Sequence, residues 1–248
     1  MMKNKQYPQQ TGPYVVKVKS EQSTHNWQNF NTARLQISVG QDYHEGEKLQ
    51  AAINWCKSRF DNVQICVNDT LQRRNKMFEL NINEKEAFNI TKREGQEWID
   101  RNLHLFSAIS NLEMRRWDSW EQEDNYFKAQ QQIRWMYSNN IDFKNGIDSN
   151  INDIWKRRVS KTDPTYNENR YDEFFELSKE YLLEEISIFS IMFEKDNAID
   201  IYPGTFIAAG LIFQNTHPEG APSGLGKGKF CRIDFSKNKN YPSLKLLA

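Results

Sequence analysis

Ser38 and Glu185 are the side chains of this sequence whose types and settings could do chemistry, a hydroxyl at a strand end and a carboxyl among apolar residues. Ser38 lies in Ile37-Ser38-Val39-Gly40-Gln41-Asp42-Tyr43-His44-Glu45, where a short apolar strand is expected to give way to a helix. Ligands collect at the carboxyl ends of strands in crossover folds, so a hydroxyl there, with flexible Gly40 beside it, faces the usual binding crevice. Such a hydroxyl can serve as a nucleophile. The same position equally suits a hydrogen-bonding turn residue or a helix cap. The serine-hydrolase elbow needs a glycine two residues before the nucleophile, and here Gln36 takes that place. An ordinary serine hydrolase is therefore disfavoured.

The second feature is an acid in an apolar setting. Between Glu173 and Phe189, helical spacing gathers Phe174, Phe175, Leu177, Tyr181, Leu182, Ile186, Ile188 and Phe189 on one broad face. Glu185 falls near the middle of that face, Glu184 at its edge, and Glu176, Glu180 and Ser187 on the side expected to meet water. An ionised carboxylate among apolar groups is costly unless it is paired or its pKa rises until it is neutral. Tyr181, one turn earlier, projects beside Glu185. A functional acid fits this pattern; so do an acid paired with an internal Arg or Lys, and a helix rotated so that the acid reaches water.

These groups need a frame, and the periodicities supply one. Leu35, Ile37 and Val39 alternate with Arg34, Gln36 and Ser38, the pattern of a strand over Arg34 to Val39. Leu49, Ala52, Ile53, Cys56 and Phe60 follow at helical spacing, within a helix expected over Glu45 to Phe60, and a second strand is expected over Asn62 to Asn68. Further helices are expected near Glu84 to Ser110, Asn125 to Tyr137, Ile147 to Ser160 and Glu168 to Phe193, and strands near Leu112 to Trp117 and Ala198 to Tyr202. Residues 1 to 30 are polar and expected to be partly disordered. Residues 31 to 248 form one domain with its core ending near Phe213, and a Gly/Pro/Lys-rich segment follows from Gln214. Its Gly220-to-Gly228 stretch has one residue too many for a phosphate-binding loop and lacks Ser or Thr after Lys227.

At 248 residues, 38% hydrophobic and 27% charged, the chain is long enough for one domain with a sizeable core. Mean hydropathy is -0.83. No apolar run approaches the roughly twenty residues that span a membrane, and the start Met-Met-Lys-Asn-Lys-Gln lacks a signal-like apolar region. A cytoplasmic protein with no membrane partner is expected. Cys56, Cys66 and Cys231 read as reduced packing residues. His25, His44, His104 and His217 show no ligand spacing, so no metal is expected. Net charge is zero, yet a polyanion needs only a local basic surface. Candidates are Arg73-Arg74 with Lys76, Lys92-Arg93 with Arg101, Arg115-Arg116, and Lys156-Arg157-Arg158 with Lys161, any of which also reads as solvated surface.

Ser38 in an Ile-Ser-x-Gly-x-x-Tyr context, the Tyr181-x-x-x-Glu185 pair and Tyr202 together resemble the tRNA-dependent cyclodipeptide synthases, over about Arg34 to Leu211. Tyr202-Pro203 resembles the subfamily with Tyr-Pro in place of Tyr-His, and Gln41 stands where the better-known branch has asparagine. Tyr126 looks like a further active-site tyrosine of that family. The resemblance implies an α/β fold, Rossmann-like and three-layered with a mainly parallel central sheet, similar to the catalytic domains of class I tyrosyl- and tryptophanyl-tRNA synthetases. It implies a monomer that takes two aminoacyl-tRNAs and releases a cyclic dipeptide, a 2,5-diketopiperazine, with no cofactor. Ser38 would carry aminoacyl and then dipeptidyl groups in a ping-pong sequence. Glu185, helped by Tyr181, would hold the α-ammonium and act as general base, with Tyr202 relaying protons.

Gly40, Gln41 and Tyr126 would line the substrate site. Leu35, Ile65, Val67 and Ile188 are candidates for an apolar pocket wall, to which Arg34, Gln36 and Asn68 would add polar character. Arg73, Arg74, Lys92, Arg93 and Arg101 are candidates for tRNA contact. The long arginine-rich helix of better-known members is here a mixed stretch, in which Lys92, Arg93 and Arg101 alternate with Glu86, Glu94, Glu97 and Asp100. Two other classes stay open: a serine-dependent esterase or aminoacyl transferase releasing linear product, and a noncatalytic RNA-binding module in which Glu185 is ion-paired inside the core.

Overall fold

Strand β1 spans Tyr14–Val18, β2 Thr32–Ile37, β3 Asn62–Val67, β4 Leu112–Arg116, β5 Ile199–Tyr202 and β6 Phe230–Lys237. In the computed structural model, which describes residues 7–23, 25–107, 109, 111–159, 161, 163–204 and 219–241, they form one sheet in the order β1-β6-β5-β2-β3-β4. Every pairing is parallel except β1 with β6. The helices are α1 (Gly46–Lys57), α2 (Arg73–Leu80), α3 (Glu84–Phe106), α4 (Trp117–Trp120), α5 (Tyr126–Asn139), α6 (Ile141–Val159) and α7 (Tyr171–Lys195).

Parallel strands must be covered on both faces, and two apolar cores do this. Leu35 and Ile37 of β2, Ile65 and Val67 of β3 and Ile201 of β5 pack with Leu49 and Ile53 of α1 and Trp98 of α3. On the other face Ile133 and Met136 of α5, Ile147 and Ile151 of α6, and Ile186, Phe189 and Met192 of α7 pack with Trp117 and Trp120. The result is a three-layer α/β sandwich. α3 starts with Asn83 accepting a hydrogen bond from the Glu86 N–H at 3.0 Å, which satisfies one of the free donors of its first turn. No helix of the described residues is long and apolar enough to cross a membrane, and the three cysteines are buried and unbridged.

The expected strands and helices are found, with shifted ends: the third helix begins at Tyr126, the fourth already at Ile141, and the second stops at Phe106. β1, β6, α2 and α4 were not expected. β1 lies inside the polar N-terminal stretch and is ordered by pairing with β6, from Tyr14 opposite Lys237 to Val18 opposite Ile233. β6 in turn lies within the Gly/Pro/Lys-rich segment, between β5 and β1. Gly224 of that segment serves packing: an added Cβ on it would come within 1.7 Å of the Ser190 carbonyl oxygen of α7. The first six residues, the expected core end near Leu211 and Phe213, and Gln214 to His217 lie outside the described residues.

Candidate active site

β2 and β5 are parallel neighbours, so both end on the same edge of the sheet. Ser38 follows β2 and Tyr202 closes β5. Ser38 Oγ and the Tyr202 hydroxyl share a hydrogen bond of 3.1 Å, and the Tyr202 and Tyr43 hydroxyls share another of 2.9 Å. The chain leaves Ser38 through a turn closed by the Gln41 N–H donating to the Ser38 carbonyl at 3.3 Å. Gly40 sits there at φ +86°, a conformation open to glycine at little cost.

A single 3₁₀ turn, Asp42–His44, then returns to brace the serine. The Ser38 N–H donates to His44 Nδ1 at 2.9 Å, and Trp98 Nε1 donates to the His44 carbonyl at 2.9 Å. Burial drives the His44 imidazole down to about 3, so it stays neutral. Sequence reasoning assigned His44 no task beyond the absence of ligand spacing; its bracing role depends on a contact six residues back that no periodicity reveals.

On α7 the acids differ from expectation. Glu184, read as an edge residue, is the buried one, only 4% exposed. It takes both guanidinium arms of Arg73, at 2.8 and 2.5 Å, and the Trp117 Nε1–H at 2.9 Å. Ser187, expected to meet water, is fully buried and donates to the Leu183 carbonyl at 2.6 Å. The reason is that α7 is enclosed between the sheet and α5, α6 and α2 along Leu182 to Phe193, so it has no continuous wet side there. Arg73 also binds Glu121 at 3.1 Å and Glu84 at 3.2 Å. Burial, then the charge of Glu184, holds the Glu121 carboxyl up at about 7.

Glu185 is partly accessible and has no hydrogen-bond or ion-pair partner among the described residues. Desolvation first, and the Glu184 charge second, push its carboxyl up to about 8. Tyr181 lies against it: burial and then the Glu185 charge push the phenol well above its ordinary value, while Gln72 Nε2 donates to its oxygen at 3.1 Å. Glu185 also raises Tyr202, after burial, against the lowering effect of the Ser38 and Tyr43 hydrogen bonds. Glu185, Tyr181, Tyr202 and Ser38 therefore occupy one electrostatic neighbourhood. Tyr126 opens α5, accepts from Gln130 Nε2 at 3.1 Å, and is raised by burial and by Glu184 and Glu121. It belongs to the side of the site that contains Arg73.

The expected apolar wall requires correction. Leu35, Ile65 and Val67 are essentially unexposed and point toward α1 and α3, away from Ser38, while Ile188 packs on the same side of the sheet as Ser38 but is fully buried in the core there. Side chains alternate along a strand, so the residues sharing the face of Ser38 and Tyr202 are Arg34 and Gln36, Cys66 and Asn68, and Asp200. They form a polar row. Gln36 Nε2 donates to Asp200 Oδ1 at 2.6 Å, Asn68 Nδ2 to Gln36 Oε1 at 3.2 Å, and Arg34 Nη1 lies 3.6 Å from Asp200 Oδ1. Gln41 and Gly40 are exposed beside Ser38.

The basic candidates divide. Arg73 is inside the protein, its guanidinium used up by Glu184, Glu121 and Glu84, and is unavailable to a phosphate. Arg74 pairs with Glu84 at 3.0 Å, Lys92 with Asp118 at 2.7 Å and Arg101 with Glu45 at 3.0 Å. Arg93 projects from α3 with its side chain 67% exposed.

No protein-family model matches the sequence, and no curated protein matches it significantly. Solved structures do match. A cyclodipeptide synthase from Fluoribacter dumoffii superposes with a TM-score of 0.73 at 23% identity, covering 91% of this chain and 100% of that one. A cyclodipeptide synthase from Candidatus Glomeribacter gigasporarum, bound to Phe-tRNAPhe, gives 0.64 at 17% identity over 88% of this chain and 93% of that one. A Mycobacterium tuberculosis protein, whose structure relates cyclodipeptide synthetases to type I tRNA synthetases, gives 0.64 at 12% identity over 94% and 98%. The chain thus has the mixed α/β, Rossmann-like fold of the cyclodipeptide synthases.

Proposed function

We propose that this protein is a tRNA-dependent cyclodipeptide synthase of the Tyr-Pro type, a cytoplasmic monomer that joins the amino acids of two aminoacyl-tRNAs into a 2,5-diketopiperazine. The observation that carries this reading is the pairing of Ser38 Oγ with the Tyr202 hydroxyl at the strand tips, beside a carboxyl that has no cation partner among the described residues. Glu185 and its tyrosine neighbours form a place for an ammonium group. A cation there would replace the missing partner, with Tyr181 hydrogen-bonding beside it. The absence of Arg or Lys against Glu185 among the described residues speaks against a merely structural, ion-paired acid.

An aminoacyl ester is already activated, so transfer to Ser38 needs no ATP. Ser38 attacks the first ester and retains the aminoacyl group while the tRNA leaves. The amine of the second aminoacyl-tRNA attacks the acyl-serine, giving a new ester still joined to tRNA; its transfer leaves the dipeptide on the enzyme. The first amine then closes the ring on that ester. Glu185, ionised by the ammonium it holds, takes a proton from each attacking amine. The polar row of Gln36, Asn68 and Asp200 lies on the sheet face nearest the acyl group and favours a polar or small side chain over a large apolar one.

Incubation with labelled aminoacyl-tRNA should leave label on the wild-type protein and none on Ser38→Ala, and bacterial expression should release cyclic dipeptide into the medium. Label on Ser38→Ala would remove the serine from its role. Linear peptide as sole product, read by mass spectrometry, would move the protein to the transferase class.

A further inference from the structure

The turn after Ser38 contributes a hydroxyl for which the reaction above has no task. Tyr43 OH lies 2.9 Å from Tyr202 OH, which lies 3.1 Å from Ser38 Oγ, so three hydroxyls stand in an unbroken row. Among the described residues the Tyr43 hydroxyl has no second protein partner, and its side chain is only partly buried. Its ring is held edge-on to Tyr202, centroids 5.9 Å apart at 86°, and to His44, 4.6 Å apart at 75°. His44 is itself tied to the Ser38 backbone. One turn therefore fixes both the nucleophile and the far end of the row. Burial raises the phenols of Tyr43 and Tyr202 above their ordinary value, so both carry their protons at any working pH and can pass one on while receiving another.

We propose that Tyr43 is the outer end of a proton wire, Tyr43 to Tyr202 to Ser38, connecting the nucleophile to solvent. The inference rests on the acyl-serine chemistry proposed above. When Ser38 attacks, the Oγ–C bond forms and the ester C–O bond to the ribose breaks. The Ser38 proton moves to Tyr202, that of Tyr202 to Tyr43, and that of Tyr43 to water, while water protonates the departing ribose oxygen. At ring closure the N–C bond forms and the C–Oγ bond breaks. The amine proton goes to Glu185, and Oγ recovers a proton from Tyr202, which is refilled by Tyr43 and then by water. Each proton given up by the wire returns, and no phenolate has to persist.

Tyr43→Phe keeps the ring and its packing and removes only the oxygen. The expected result is a fall in kcat of about 10- to 100-fold, at or below the smallest contribution of a group that transfers the proton directly because Tyr43 acts through Tyr202, with KM for aminoacyl-tRNA unchanged. The solvent deuterium isotope effect on kcat should shrink, because fewer protons move together. Tyr43→Phe combined with Tyr202→Phe should be no slower than Tyr202→Phe alone, since members of one unit are not additive. A purely structural tyrosine would leave the isotope effect unmoved and give additive losses, and that outcome, or wild-type kcat in Tyr43→Phe, overturns the wire. Labelling by aminoacyl-tRNA separates the two levels. Acyl-enzyme that forms normally beside an indifferent Tyr43→Phe refutes the wire alone, whereas wild-type protein that never acquires label refutes the acyl-serine reading and the wire with it.

Discussion

Replacing Glu185 by Gln should stabilise this protein, and only at high pH. Glu185 has no cation beside it among the described residues, and its carboxyl is raised from 4.5 to about 8, first by desolvation and then by Glu184. An acid whose folded pKa lies above its unfolded one costs nothing while protonated. As pH climbs from about 4.5 the unfolded chain releases the proton first, and stability falls until the folded carboxyl ionises near 8. At roughly 1.4 kcal/mol per tenfold, the full difference would be about 5 kcal/mol. The Glu185 carboxyl keeps some solvent contact, so we expect about half of that, roughly 2–3 kcal/mol at pH 9. For a chain of this size that is about 5–10 °C in Tm. Gln is uncharged and close in shape, and its Tm should match wild type near pH 4.5 and pull ahead as pH rises. Thermal unfolding of both proteins from pH 4.5 to 9 measures this. A Gln variant that is less stable than wild type at pH 9, or offset by the same amount throughout, would show that Glu185 is satisfied, and would remove the reason for expecting an ammonium there. The same substitution should abolish turnover, so stability gained and activity lost would share one cause.

Arg73→Met should destabilise by about 3 kcal/mol, the low end for breaking a buried pair, because it leaves the buried carboxylate of Glu184 with only the more distant Arg74 at 3.9 Å as a cation; acidification, which neutralises that carboxylate, should return part of the loss, and adding Glu184→Met should return most of it, as read by urea unfolding. Removing Arg93 and Arg101 together, two arginines of α3 whose side chains are more than half exposed, should weaken tRNA binding and lower the dependence of log K on log salt by about 1–2, whereas an unchanged slope would place the tRNA elsewhere.

The alternation Arg34 to Val39, the helical spacing from Leu49 to Phe60 and the second strand after it made the central crossover legible, because two periods of burial are written directly into residue type. The outer strands were not legible. β1 and β6 are ordered only by pairing with each other, across more than two hundred residues of chain, and neither carries a period strong enough to stand alone. In the site, the types and order of Ser38, Tyr181, Glu185 and Tyr202 could be read along the chain. Which pocket side chains accompany them could not be read by apolarity: Leu35, Ile65 and Val67 fall on the wrong face by a single residue, since each step along a strand reverses the side chain.

The sequence by itself determined that a hydroxyl lies at the end of the strand over Arg34 to Val39, that the long last helix carries acids amid apolar residues, and that a strand-helix-strand crossover stands at the centre; the mainly parallel sheet was implied by the family resemblance. Only the tertiary structure decided which acid is silenced and which is left poised. Arg73 reaches α7 from a different helix and pairs with Glu184 rather than its neighbour. Helical position places two adjacent acids some 100° apart around α7, but which of them meets a cation depends on what packs there, and that partner is far away in the chain. The same holds for Tyr43, Tyr202 and Ser38, whose hydroxyls meet because parallel pairing of β2 and β5 carries two distant strand ends to one edge.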